Sequence, residues 1–92
     1  MKEYFFNDVA LWESGKVPMG GGDIIIRDKV KVYINKTSIK SNRYKKLLLP
    51  VNSELIFNDT DIVLHVEEME ILGKVKANER CVITVDGVRS SY

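Results

Sequence analysis

Apolar residues return at every second position along most of the chain, and residues 61–76 give the clearest case. Ile62, Leu64 and Val66 fall on one face, with Val63, His65 and Glu67 on the other. The alternation resumes after Glu67 and Glu68 with Met69, Ile71 and Val75, so this stretch predicts two strands joined by a short acidic turn. Residues 23–34 open as an apolar run and continue with Val30, Val32 and Ile34 on one side and Lys29, Lys31 and Tyr33 on the other. They predict a long strand rich in β-branched residues, bent near Arg27 and Asp28, that serves both walls of a small β structure. Shorter strands are expected over 53–57 and 80–85, the latter with Cys81, Ile83 and Val85 on one face. Asp86 with Gly87 forms a favoured tight turn.

The N-terminus has a different period. Phe5, Val9 and Trp12 recur at helical spacing, Asn7 or Asp8 can cap, and Gly15 with Pro18 ends a helix of about two turns. Gly20, Gly21 and Gly22 then read as a hinge. They lack the Lys and Ser/Thr spacing of a phosphate loop, and a strand follows instead of a helix. The expectation is an aromatic arm over 1–22 and one β domain over 23–92. The fold class is mainly β, a small antiparallel barrel or sandwich of five to six strands with a short N-terminal helix or arm.

Length limits the chain to one core. Ninety-two residues bury only about two-thirds of the unfolded surface, so partner subunits are expected to cover part of the apolar face. The net charge of +1 conceals segregation: the seven charges over 29–46 are all basic and the six over 54–70 are all acidic. Two patches of opposite sign suit head-to-tail association between copies, and neighbouring strands pairing opposite charges across a sheet would account for the same pattern. The basic patch comprises Lys36, Lys40, Arg43, Tyr44, Lys45 and Lys46 on an expected exposed loop. It supports a nucleic-acid reading only through phosphate contacts and stacking on Tyr44. The acidic patch comprises Glu67, Glu68 and Glu70.

Candidate chemistry is sparse. His65 is the single histidine and Cys81 the single cysteine, and the three glutamates lack a calcium-loop spacing. No catalytic, cofactor or metal residues are assigned, and no enzyme activity is expected. One cysteine fits a reducing, cytoplasmic setting, whether a host cytoplasm or a virion. No apolar run approaches the ~20 residues of a membrane span. What remains is association: Tyr4, Phe5, Phe6 and Trp12 are anchor candidates, and Leu47, Leu48 and Leu49 form either an edge tucked on the core or an exposed docking tripeptide. The leading expectation is a non-catalytic β domain that self-associates or docks on a larger complex, such as a viral connector or decoration protein.

One family resemblance rests on three stretches. Asp28, Lys29, Val30, Lys31 and Val32 look like the opening D-R/K-V-x-V strand of ring-forming co-chaperonins of the chaperonin-10 type. Leu47, Leu48, Leu49 and Pro50 are similar to the hydrophobic tripeptide of that family's mobile loop, and residues 63–73 resemble its closing L-I-x-R-E-x-D-I-L-G segment. The resemblance implies a sevenfold ring of barrels whose Leu47, Leu48 and Leu49 dock on a chaperonin's apical groove.

Overall fold

The computed structural model describes residues 1–39, 43–86 and 88–90. Among the described residues nine strands follow one another: β1 (Lys2–Phe5), β2 (Asp23–Ile25), β3 (Val30–Ile34), β4 (Arg43–Leu49), β5 (Glu54–Phe57), β6 (Val63–Ile71), β7 (Lys74–Lys76), β8 (Val82–Val85) and β9 (Val88–Ser90). They form two sheets, ordered β1-β3-β5-β7 and β2-β4-β6-β8-β9. Every pairing is parallel except that of β8 with β9. Consecutive strands up to β8 therefore lie in different sheets, and each from β1 to β6 pairs with the strand two further on. The chain winds as a coil whose turns stack on their nearest neighbours, which is solenoid architecture.

Register makes the stack. In the first sheet Tyr4, Val32, Leu55 and Val75 lie on successive turns at one position. In the second, Ile24, Leu47 and Met69 do so, as do Tyr44, Val66 and Val85. Inward-turned side chains thus meet apolar residues on the neighbouring turns, and these columns make the buried core. Connections from the second sheet back to the first are tight, over 26–29, 50–53 and 72–73. Those from first to second, over 6–22, 35–42, 58–62 and 77–81, shorten along the chain up to the third, and the fourth is as long as the third.

The tight arcs are held by specific residues. Buried Ser53 donates its hydroxyl to the Arg27 carbonyl at 2.6 Å and accepts the Val30 N–H at 3.4 Å, joining two successive arcs. Gly73 lies where a Cβ would stand 2.2 Å from the Ser53 oxygen and 2.4 Å from that of Pro50, so no side chain fits.

The alternating strands expected near 30–34, 53–57 and 80–85 are present, but the antiparallel barrel of five to six strands is not. Period two states only that one face of a strand is buried. It carries no strand direction, and a coil with solvent outside both sheets has the same pattern as an antiparallel meander. The bend near Arg27 is a full corner, because β2 and β3 lie in different sheets.

Three further expectations are corrected. In place of a helix over the first residues there are β1 and a single 3₁₀ turn at Val9–Leu11. Phe5 and Val9 are exposed while Trp12 is buried, so these three residues do not share a face. Phe6, Leu11 and Trp12 belong to the same core as the rest, with the Trp12 indole Nε1 donating to the Phe6 carbonyl at 2.9 Å. Gly20–22 is stitched down where a free hinge was expected: Gly21 donates to the Arg43 carbonyl and Lys45 to that of Gly22. The supposed turn at Glu67 and Glu68 is strand, and β6 continues through it to Ile71. Both glutamates are exposed there, and the paired β4 has the same interruption at Lys45 and Lys46, so both strands shift their buried phase at one level.

Candidate interaction surfaces

Most of the expected anchors are core. Phe6, Trp12, Leu47 and Leu49 are buried, Tyr4 and Leu48 are half-buried, and Phe5, at 45% exposure, is exposed with its ring tilted against that of Tyr33. The phenol of Tyr4 accepts a hydrogen bond from Arg27 at 3.0 Å, and the guanidinium lies over its ring. Leu47, Leu48 and Leu49 sit within β4, between β2 and β6, so they cannot serve as an exposed docking tripeptide.

The charge blocks meet each other. β4 carries the basic residues and β6 the acidic ones, and the two strands are paired, with Asp23, Lys46 and Glu68 in one column. Arg43 and Lys45 are exposed, Lys46 is half-buried, and Lys36 lies in a 3₁₀ turn at Lys36–Ser38; Lys40 falls outside the described residues. Tyr44 is buried against Phe6, and a base cannot stack on it. Glu67, Glu68 and Glu70 are exposed on β6.

A second column of charge lies on the outer face of the first sheet. Glu3, Lys31, Glu54 and Lys74 occupy one position on four successive turns, alternating in sign, with Lys31 Nζ 3.5 Å from Glu54 Oε2. Beside it the Tyr33 hydroxyl donates to Glu3 at 2.5 Å. That hydrogen bond, together with desolvation and the negative charges of Glu3 and Glu54, raises the Tyr33 pKa above the ordinary 10.0.

Several clefts open on the surface among the described residues. One, of about 620 Å³, lies between Trp12–Met19 residues and the edge strand β2, lined by Val17, Pro18 and Ile25 among others. Another, of about 600 Å³, gathers Arg43, His65, Glu67 and Asp86. His65 is half-buried there and its Nδ1 bonds the Thr84 hydroxyl. A third, of about 420 Å³, is lined by Met1, Val51, Glu54 and Lys74. Met1 and Val51 are two-thirds exposed, at 67% and 66%, and Leu72 on the next arc is also exposed. This apolar corner was not anticipated; its only sequence signal is Val51 and Leu72 standing in turns where polar residues are usual.

Among the described residues no cluster of three or more His, Cys, Asp or Glu side chains could hold a metal. Cys81 is buried with its thiol donating to the Asp59 carbonyl at 3.1 Å. Among the described residues no helix is long and apolar enough to cross a membrane.

A parallel two-sheet coil with an alternating charge column defines the class of domain. The chain belongs to the G8 domain family, whose model matches residues 11–84. The co-chaperonin resemblance is thereby overturned: it rested on short strand patterns that this coil also produces. The chain is 35% identical over 72 residues to "Communication mutant protein F" of Dictyostelium discoideum, covering 77% of this chain and 6% of that protein. It is 36% identical to a G8 domain-containing protein of the same organism, over 75% of this chain and 5% of the relative. A third Dictyostelium protein, "Protein rliB", is 29% identical, over 75% and 6%. The chain thus spans about one-twentieth of the length of the curated relatives it matches. No solved structure matches it.

Proposed function

We propose that this G8 domain works without catalysis, as an assembly module that associates through its apolar corner. The observation that carries the reading is the exposure of Met1 and Val51 on one cleft, with Leu72 on the neighbouring arc. Large apolar side chains left in water beside one another lower their free energy when covered, at roughly 25 cal/mol per Å². The relatives support a modular role, because the matched region is a small share of much longer proteins.

Native mass tests it. Light scattering across a concentration series should show association, and Val51→Asp should return the protein to monomer with its melting temperature unchanged. A wild-type chain that stays monomeric at the highest concentration overturns self-association through this corner.

A further inference from the structure

Arg27 is a half-buried cation whose anion is missing from its surroundings. It stands on the arc between β2 and β3, and its guanidinium lies over the Tyr4 ring, 5.4 Å from the centroid, while Nη2 donates to the Tyr4 hydroxyl at 3.0 Å. These contacts fix the direction of the side chain and leave its charge unmatched. Among the described residues no carboxylate lies within ion-pair distance of it, and its Nε, shielded from solvent, meets no acceptor. A guanidinium held in this way is suited to a carboxylate, because its paired N–H donors match the two oxygens.

Arg27 also lines the cleft of about 620 Å³ beside β2. The remaining lining is largely apolar: Val17 and Pro18 are half-buried, Met19 is 70% exposed and Ile25 is 43% exposed. Met19 belongs to the segment before β2 and Ile25 to the strand itself, so both walls present hydrocarbon to solvent. Sites for small ligands have this character, a concave apolar surface of roughly 300–1,000 Å³ with a few polar groups that fix orientation. All of the lining lies within residues 12–27, inside the stretch that matches the family.

Charge narrows the ligand. Exposed Glu13 and Asp23 line the same cleft, so a dianionic phosphate ester meets repulsion there, whereas one negative charge can be compensated by Arg27. An uncharged apolar molecule would leave Arg27 as it is.

We propose that this cleft binds a small amphipathic carboxylate, its carboxylate paired with Arg27 and its hydrocarbon body lying on Val17, Met19 and Ile25. The site goes beyond the assembly role and does not rest on the apolar corner, whose Met1, Val51 and Leu72 take no part in the cleft.

Trp12, the single tryptophan, lines the cleft as well, so its fluorescence reads occupancy. The test titrates the full chain with decanoate below its micelle concentration, with decanol and decyl phosphate for comparison, at about pH 8, where the phosphate ester is dianionic. A saturable change with decanoate is expected, with decanol bound about tenfold more weakly and decyl phosphate also more weakly. Arg27→Met should erase the preference for decanoate over decanol. Because that variant also loses the contact with Tyr4, Ile25→Asp provides a second one at an exposed position, and it should weaken decanoate and decanol alike. No saturable change with the wild-type chain overturns the proposal, as does equal binding of decanoate and decanol. Tighter binding of decyl phosphate would overturn the choice of a carboxylate. An Ile25→Asp chain that binds decanoate as the wild type does would place the ligand elsewhere and overturn it too.

Discussion

Asp61 and Arg80 occupy equivalent places on successive turns of the coil, and Arg80 Nε lies 2.7 Å from Asp61 Oδ1. Both residues have left-handed backbone, with φ of 61° and 63°. The contact thus joins two corners that repeat one unusual conformation, the Asp61 N–H also donating to the Glu79 carbonyl. Their side chains are 42% and 72% exposed, so solvent screens the ion pair and it contributes at most about 1 kcal/mol. The left-handed backbone matters more, costing about 1–2 kcal/mol for a residue that resists it. Asp61→Asn, which tolerates that conformation, should cost less than about 1 kcal/mol in urea unfolding, and Asp61→Val clearly more. Equal losses would show that charge governs this corner.

Trp12 and Phe5, both expected as anchors, should separate cleanly. Trp12→Ala removes a buried ring and its hydrogen bond to Phe6, at about 3–5 kcal/mol. Phe5→Ala at an exposed site should stay within about 1 kcal/mol. Thermal melting of the two variants measures the difference; similar losses would place Phe5 in the core.

Gly73→Ala should unfold the coil or cost about 3 kcal/mol or more, because both obstructing atoms are backbone oxygens that cannot swing aside. A variant that melts with the wild type would mean that the arc at 50–53 can yield.

Ser53→Ala is expected to cost about 1–3 kcal/mol, since it removes a hydroxyl shared between Arg27 and Val30 inside the protein. Urea unfolding reads the loss, and Ser53→Thr distinguishes hydroxyl from space: a threonine as damaging as alanine would point to crowding.

Tyr33 predicts an alkaline effect. Its folded pKa is raised above 10.0, chiefly by the hydrogen bond to Glu3. The folded state then holds the proton more tightly than the unfolded chain, so this contribution is complete below pH 10 and is lost as pH rises through the folded value. Spectrophotometric titration should show one tyrosine ionising late, and Tyr33→Phe should remove it. If the late ionisation survives in Tyr33→Phe, another tyrosine carries the shift.

The strands were legible because Val30, Val32 and Ile34, or Cys81 and Ile83, place every second side chain in the core. Their direction was not, because alternation is the same in parallel and antiparallel neighbours. Lys45 with Lys46 and Glu67 with Glu68 interrupt two strands at one level, and this matched pair of interruptions was the available sign that β4 and β6 lie side by side. Read alone, the glutamates looked like a turn. The arm failed for another reason: Phe5, Val9 and Trp12 have helical spacing by coincidence, and core burial of Phe6 and Leu11 decided the local structure.

Because each turn of the coil rests only on the turns beside it, order in this molecule is graded along one axis. Among the described residues β3, β4, β5 and β6 each have a paired strand on both sides. Hydrogen exchange should therefore be slowest in those four strands, and a disturbance in one of them should be felt first by the strands stacked above and below it.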